Sequence, residues 1–574
     1  MAWNSCDGIS VRRSEAEVVV AAKATRNEVK HLSDIDDHEG LRMHLSFIMF
    51  YKREEAMKEF DPVMIIKRGI SEALVHYYPL AGRVAEGPNR KLVVECTGEG
   101  VMFVEAQADV SLEDLGDSIG PPCLHRKHFL YQLPASQEIL ASPLLFFQVT
   151  RLLCGGFVFA VCMNHVVCDS FGLVQFLNTV ATMARDPHAA IQQPVWRRDI
   201  FSARNPPRVT CTHHEFEDVL HHSTTTTSSS HEDLSHESFF FGKKEIQTLR
   251  DHLPQNLQKC STVELLTACL WKCRTMALDL DPNEVVGVSS FVTTHGKVDV
   301  PKGYYGNAFV FPMALSKAGL LCENSLGYAL GLIREAKGRM SEEYVRSMVD
   351  LMVLKGRPMY RTQGSFFVGD MTRVGFGEVD FGWGKPVYGG PVGAIPLSSY
   401  LARFKNGIMV PILLPQLVMK KFLRELSKIT SEEEFDLSKL QRIAFDSSRQ
   451  YKPLIFLAAP IILKCIWEAK ARTEEEVESK KHNEWSLVLF LTISVQFAMP
   501  TFTFLLKPIA LTGFVVSKPS PSLSLFTLQS FIHQFATFSF SSKLHHARVA
   551  TCIRTQALAN ALSVADRSLS QPSS

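Results

Sequence analysis

The sequence predicts an α/β protein with two globular portions and further chain beyond them. Three observations carry this expectation. The 574 residues exceed one ordinary domain and suffice for two sizeable hydrophobic cores. Strand-like apolar runs alternate with helix-period segments up to about residue 185. That character breaks over 185–237, where prolines 187, 194, 206 and 207, a group of histidines and the Ser/Thr run 223–230 leave little material for a core. It resumes near Ser238.

Taken in order, residues 1–11 include Asp7 and hold no apolar core of signal-peptide length, so no secretory leader is expected and the cytoplasm is the default location. Asp61-Pro62 reads as an N-cap followed by a first-turn proline, opening a helix over 63–78 that Pro79 stops. Residues 144–153 and 157–163 are β-rich runs joined by Cys154-Gly155-Gly156, the pattern of a hairpin whose second strand delivers His165. From Ser170 onward Leu173, Phe176, Leu177, Val180 and Ala184 recur at helical spacing. In the second portion Ser261 and Glu264 form a capping box ahead of a helix through Leu265, Cys269, Leu270 and Cys273. Strand-like segments follow at 285–292, 307–312 and 408–414, with a helix over 416–429. Beyond Thr430 this order is lost. Residues 485–506 carry no charge and are long enough to span a bilayer, although Pro500 and the Thr and Gln content weaken that reading.

Composition excludes some classes. Sixty-one basic and 59 acidic side chains give a net charge of +2, so no global field attracts nucleic acid or an anionic membrane. Thirteen cysteines without paired short spacings read as reduced thiols of an intracellular protein. Cys211, His213, His214, His221, His222 and His231 resemble a metal site at first sight, but their spacings fit no standard zinc arrangement. No metal is expected. No P-loop or dinucleotide fingerprint is present.

Chemistry concentrates at Asn164-His165-Val166-Val167-Cys168-Asp169-Ser170-Phe171-Gly172, a strand-to-helix junction carrying one imidazole and one carboxylate. His followed four residues later by Asp is weak as a bare pattern, with about one match expected by chance. His214/Asp218 and His295/Asp299 match it too, but only His165/Asp169 lies between a strand and a helix. Imidazole suits a base that accepts a hydroxyl proton near neutral pH. A core histidine hydrogen-bonded at both nitrogens is an equally open reading of residue type and position. The second segment, Asp380-Phe381-Gly382-Trp383-Gly384-Lys385-Pro386, reads as a tight turn with the indole packed inward and Asp380 paired with a buried arginine. A structural role is favoured for it.

Longer stretches carry a resemblance. Leu32-Ser33-Asp34-Ile35-Asp36-Asp37, Tyr78-Pro79-Leu80-Ala81-Gly82-Arg83, Gly87-Pro88-Asn89-Arg90-Lys91-Leu92 and Cys96-Thr97-Gly98-Glu99-Gly100-Val101 are part of it. Pro207-Arg208-Val209-Thr210-Cys211-Thr212-His213-His214, Lys302-Gly303-Tyr304-Tyr305-Gly306-Asn307, Lys355-Gly356-Arg357-Pro358 and Gly375-Phe376-Gly377-Glu378-Val379 continue it. With the two motifs they resemble the plant BAHD (HxxxD-type) acyltransferases from about Ile9 to about Ile429. The likeness is strongest to the alcohol acyltransferases of the benzyl alcohol benzoyltransferase and methanol anthraniloyltransferase type.

The resemblance implies a monomer of two similar domains, each a mixed β-sheet with flanking helices, joined by a crossover loop with a channel between them. The expected boundaries are 1–185, a crossover at 186–237, 238–429, and a poorly ordered non-family extension at 430–574. It implies acyl-CoA as co-substrate with no permanently bound cofactor, a small alcohol as acceptor, and no nucleic-acid or membrane partner. The catalytic candidates are His165 as base, Asp169 bracing its loop, and Asp380, whose motif is usually structural in the family. Ser261 and Thr262 fall where CoA is expected. Two stretches depart from the family: Thr293-Thr294-His295-Gly296-Lys297 stands where many members have an arginine for the motif Asp, and 388–406 is shorter. These departures motivate one alternative, a catalytically silent acyl-CoA or metabolite-binding relative. The uncharged stretch 485–506 motivates another, a membrane-tethered enzyme.

Overall fold

The expected hairpin lies in the middle of the first sheet. In this computed structural model, which describes residues 4–6, 9–131, 139–217, 234–430 and two short strands further on, Leu145–Arg151 and Phe157–Asn164 pair antiparallel with Met163 opposite Leu145. On its other side Phe157–Asn164 pairs antiparallel with His44–Tyr51, setting Asn164 opposite His44. The full order is Asn4–Cys6, Ile9–Arg13, Val101–Ala108, Leu145–Arg151, Phe157–Asn164, His44–Tyr51 and Tyr388–Pro391, with Glu17–Val19 also on Val101–Ala108. Val101–Ala108 and Leu145–Arg151 run parallel, so the sheet is mixed.

Every residue of Phe157–Asn164 is buried, because both faces of the sheet are covered. Side chains alternate between faces with period two. Phe157, Phe159, Val161 and Met163 enter the core shared with helices Pro62–His76 and Ser170–Arg185. Val158 and Ala160 enter a second core with Leu115 and Phe129. The helix expected over 63–78 ends at His76, and a 3-10 turn over Tyr78–Ala81 carries Pro79. Pro79 lacks the N–H that another helical turn requires.

A second mixed sheet has the order Leu234–Phe241, Gly407–Pro415, Ser398–Phe404, Ser365–Asp370, Val285–Ser290, Met313–Lys317. Ser365–Asp370 runs parallel to both Val285–Ser290 and Ser398–Phe404. Thr262–Leu278, Leu326–Gly338 and Gln416–Thr430 supply the core on one face, and Glu342–Leu354 contributes to that on the other. Phe366 and Val368 face the first of these cores and Phe367 the second. The strand expected over 307–312 is only Phe309–Val310, followed by Met313–Lys317. Asn307 is drawn out of strand pairing into a buried polar network.

The later part of the chain also completes the first sheet. Tyr388–Pro391 pairs antiparallel with His44–Tyr51, with Tyr388 opposite Phe50. The Tyr51 hydroxyl donates to the Val379 carbonyl at 2.9 Å, and Phe381 and Trp383 are buried in the first core. The Asp380 segment thus packs on the first sheet, although it lies far along the chain. Burying Phe381 alone contributes about 1.5–3 kcal/mol.

Among the described residues no helix is long and apolar enough to cross a membrane, and no two cysteines are joined. Residues 436–574 form a separate unit, of which the antiparallel pair Leu489–Leu491 and Ile509–Leu511 is described. The Ser/Thr run 223–230, histidines 221, 222 and 231, and all of 485–506 except that first strand lie outside the described residues.

Candidate active site

His165 follows the last residue of a central strand, and Asp169 is the N-cap of the helix Ser170–Arg185. The loop between them is fixed by backbone bonds. The His165 N–H donates to the Met43 carbonyl at 2.9 Å, and its Nδ1 lies 3.1 Å from the Cys168 carbonyl oxygen. A carbonyl only accepts, so Nδ1 carries the ring proton and Nε2 holds the lone pair. Burial lowers the His165 pKa from the ordinary imidazole value, an effect that the backbone hydrogen bonds oppose. The neutral, basic form is favoured.

Asp169 does not touch His165. Its Oδ1 accepts the Gly172 N–H at 2.9 Å, and its Oδ2 accepts the Ala308 N–H at 3.1 Å. One carboxylate therefore caps the helix and ties it to the segment entering strand Phe309–Val310. Burial raises its pKa, and the two backbone donors oppose that rise.

A buried polar network beneath the loop joins segments that resembled the family without a legible role. The Asn307 side-chain amide donates to the His165 carbonyl at 2.9 Å and to Asp36 Oδ1 at 2.8 Å, and its backbone N–H reaches the same oxygen at 3.0 Å. Asp36 Oδ2 accepts the Ser33 N–H at 3.0 Å and pairs with Arg198 Nε at 3.4 Å. Arg198 donates from Nη2 to the Val167 carbonyl at 2.7 Å, with its guanidinium 4.3 Å from the Trp196 ring and 5.1 Å from the Tyr305 ring. Two charges out of water are tolerated because they face each other and both are hydrogen-bonded. Gly306 is required here: a Cβ at that position would overlap the Arg198 guanidinium.

His165 and Asp169 line a cavity of about 970 Å³ that opens to solvent. Its walls come from both sheets and include Met43, Leu45, Phe309, Phe311, Tyr360 and Met371. A second space of about 690 Å³, lined in part by His44, Arg126 and His236, shares Leu45, Ile395 and Tyr400 with the first. An imidazole lone pair in a mostly apolar cavity is suited to accept a proton from a bound hydroxyl.

The structure does not bring the other candidates to this cavity. Asp380 Oδ1 accepts the Gly382 N–H at 2.7 Å, closing the turn, and Oδ2 lies 4.0 Å from Arg185 Nη1. The side chains of Arg185 and Asp380 are 49% and 33% exposed, so the expected buried arginine pair is instead a half-exposed one at the helix end. Gly382 has φ 115°, and Trp383 packs edge-on to Phe157 at 5.3 Å, as the turn pattern suggested. Ser261 is the N-cap of Thr262–Leu278, accepting the Glu264 N–H at 3.2 Å, and Thr262 Oγ1 accepts from Arg250 at 3.2 Å. Neither lines the His165 cavity.

Among the described residues no group of His, Cys, Asp and Glu is arranged to hold a metal. His213 instead bonds Glu215 at 3.2 Å and Ser347 at 2.9 Å. Asp36, Asn307, Arg198 and His38, which lines the cavity, were not singled out from sequence. The available signal was the pair of segments around Asp36 and Asn307, whose meeting no periodicity reveals.

Comparison with known proteins agrees with this architecture. The Transferase family model matches residues 9–429. The chain is 52% identical over 440 residues to alcohol acyl transferase 1 (allele RGb) of Malus domestica, covering 75% of this chain and 97% of the relative. It is 51% identical over 443 residues to benzyl alcohol O-benzoyltransferase of Petunia hybrida, covering 75% and 96%. Among solved structures, vinorine synthase superposes with a TM-score of 0.57 at 20% identity over 73% of this chain and 98% of that one. F. graminearum TRI101 complexed with coenzyme A and deoxynivalenol gives 0.57 at 16% identity, over 69% and 96%. The chain belongs to the Transferase family, the BAHD acyltransferases.

Proposed function

We propose that the protein is an acyl-CoA-dependent alcohol O-acyltransferase, esterifying small or aromatic alcohols with benzoyl, anthraniloyl or short acyl groups in a ternary complex. The observation that carries this reading is the tautomer of His165 in its cavity: Nδ1 is held by the Cys168 carbonyl, which leaves Nε2 as the base. The alcohol acyl transferases and benzyl alcohol O-benzoyltransferases that are about half identical over the aligned three quarters of the chain support the choice of alcohol as acceptor.

In this reading Nε2 takes the hydroxyl proton as the alcohol oxygen attacks the thioester carbonyl. The tetrahedral oxyanion collapses, the carbon–sulfur bond breaks, and the imidazolium returns its proton to the departing CoA thiolate. No covalent enzyme intermediate is needed. Asp169 acts by bracing the loop, and Asp380 by closing its turn on the first sheet. Ser261 and Thr262 are assigned to CoA approach from the resemblance, at the start of a helix whose N–H groups favour anions. Residues 1–185 and 238–429 act as the two domains, 186–237 as their crossover and 430–574 as an extension, in a cytoplasmic monomer.

The two departures from the family fit an active site. Thr293 lines the cavity, and residues 388–391 form the edge strand of the first sheet. The test is to incubate the purified full-length chain with benzoyl-CoA, other acyl-CoAs and a panel of alcohols, following ester and free thiol. Ester from at least one pair is expected. Thioester binding without thiol release across the panel would support the silent alternative instead.

A further inference from the structure

We propose that His38 is a specificity-determining hydrogen-bond donor, favouring substrates that present an oxygen acceptor to the aromatic wall of the cavity around it. His38 lines the cavity and is 3% exposed. Its Nδ1 accepts the Gly40 N–H at 2.9 Å. Nδ1 therefore supplies a lone pair, and in the neutral ring the proton sits on Nε2. Nε2 is buried and has no hydrogen-bond partner, and among the described cavity-lining residues it is the only such buried side-chain atom. Burial, reinforced by nearby His165, pushes the His38 pKa down to about 3. The ring stays neutral under working conditions, and the N–H is permanent.

The two cavity imidazoles thus have opposite polarity. His165 offers a lone pair and His38 an N–H. Both lie against the same run of phenylalanines. Phe309 and Phe311 are alternate residues with ring centroids 6.5 Å apart; His165 lies 6.1 Å from the first and His38 5.6 Å from the second. His38 is further fixed by Phe216 at 5.2 Å and by stacking on Tyr360 at 6.2 Å. The donor and the base are separate groups on one cavity, so the N–H addresses a substrate atom other than the hydroxyl that His165 deprotonates. A buried N–H without a partner is unfavourable, and a ligand oxygen removes that penalty whereas an alkyl group leaves it in place.

This inference rests on the alcohol acyltransferase reading. Its test compares shape-matched methoxy- and ethyl-substituted benzyl alcohols, and methoxy- and ethyl-substituted benzoyl-CoAs, in the full-length wild type and in His38→Leu, His38→Met and His38→Gln. In at least one series the wild type is expected to favour the methoxy member by about tenfold or more in kcat/KM. His38→Leu and His38→Met are expected to bring that ratio close to one by lowering turnover of the methoxy member more than that of the ethyl member, and His38→Gln, which keeps an N–H, to retain part of the ratio. A ratio unchanged in the folded donor-free variants, or an equal loss on both members, would overturn the proposal. Calorimetric binding of the matched ester products reads the same preference without turnover. A wild type that binds the esters with this preference but forms none would count against the activity and leave the role of His38 standing.

Discussion

The Asn307 amide donates to the main-chain carbonyl of His165 at 2.9 Å across 142 residues of sequence. Because the same amide bonds Asp36 Oδ1, the position of the candidate base is coupled to a buried carboxylate and through it to Arg198. Breaking one member leaves charge without compensation. Asp36→Ala or Arg198→Met should lower stability by about 3–5 kcal/mol, measured by denaturant unfolding. A loss below 1 kcal/mol would show that the network is not what holds the loop.

Asp169 is expected to act through position. Asp169→Ala removes the acceptor for Gly172 N–H and Ala308 N–H and should cost about 1–2 kcal/mol of stability through the lost cap, together with activity. Asp169→Asn keeps one accepting oxygen but turns its NH2 on the other backbone N–H, and should recover part of both. If Asn is as inactive as Ala while fully stable, the negative charge itself takes part in the reaction.

Asp380→Asn should retain turnover within about tenfold, since an amide oxygen can still accept the Gly382 N–H. Asp380→Ala should mainly lower the melting temperature. Kinetics on both variants separate this from a direct part in chemistry, for which a loss of several orders of magnitude in kcat would be the signature.

The pH dependence has a defined sign. The base must be unprotonated, and burial lowers the His165 pKa, so kcat/KM should rise with pH through an inflection below the ordinary imidazole value of about 6.5 and then level off. An inflection above 7 would contradict this. Stability moves the same way. His38 is held neutral with its pKa pushed down to about 3, so the unfolded chain binds its proton first as pH falls. Its contribution is intact above about 6.5 and declines from there toward 3. His38→Gln should therefore make the fall in melting temperature over that window shallower.

Much of this fold was legible from local pattern. The hairpin, the capping box at Ser261 and the proline-stopped helix each rest on short-range physics, and the turn and indole of the Asp380 segment follow from two glycines around one tryptophan. What was not legible depends on long-range meetings. Tyr388–Pro391 joins the first sheet although it lies among second-sheet strands in sequence, because pairing partners are chosen by tertiary packing. Likewise His165 signalled itself by its junction, whereas Asp36, Arg198 and Asn307 are ordinary residues until the chain brings them together. His38 lay next to a matched segment, and only the buried, unpaired Nε2 of this cavity-lining side chain gives it a role.

The most direct measurement is ester formation by full-length His165→Ala against wild type, with melting temperature recorded on the same samples. A fall in kcat of about 10²–10⁴-fold at an unchanged melting temperature is expected if this imidazole is the general base. Turnover within a few-fold of wild type from the folded variant would contradict it.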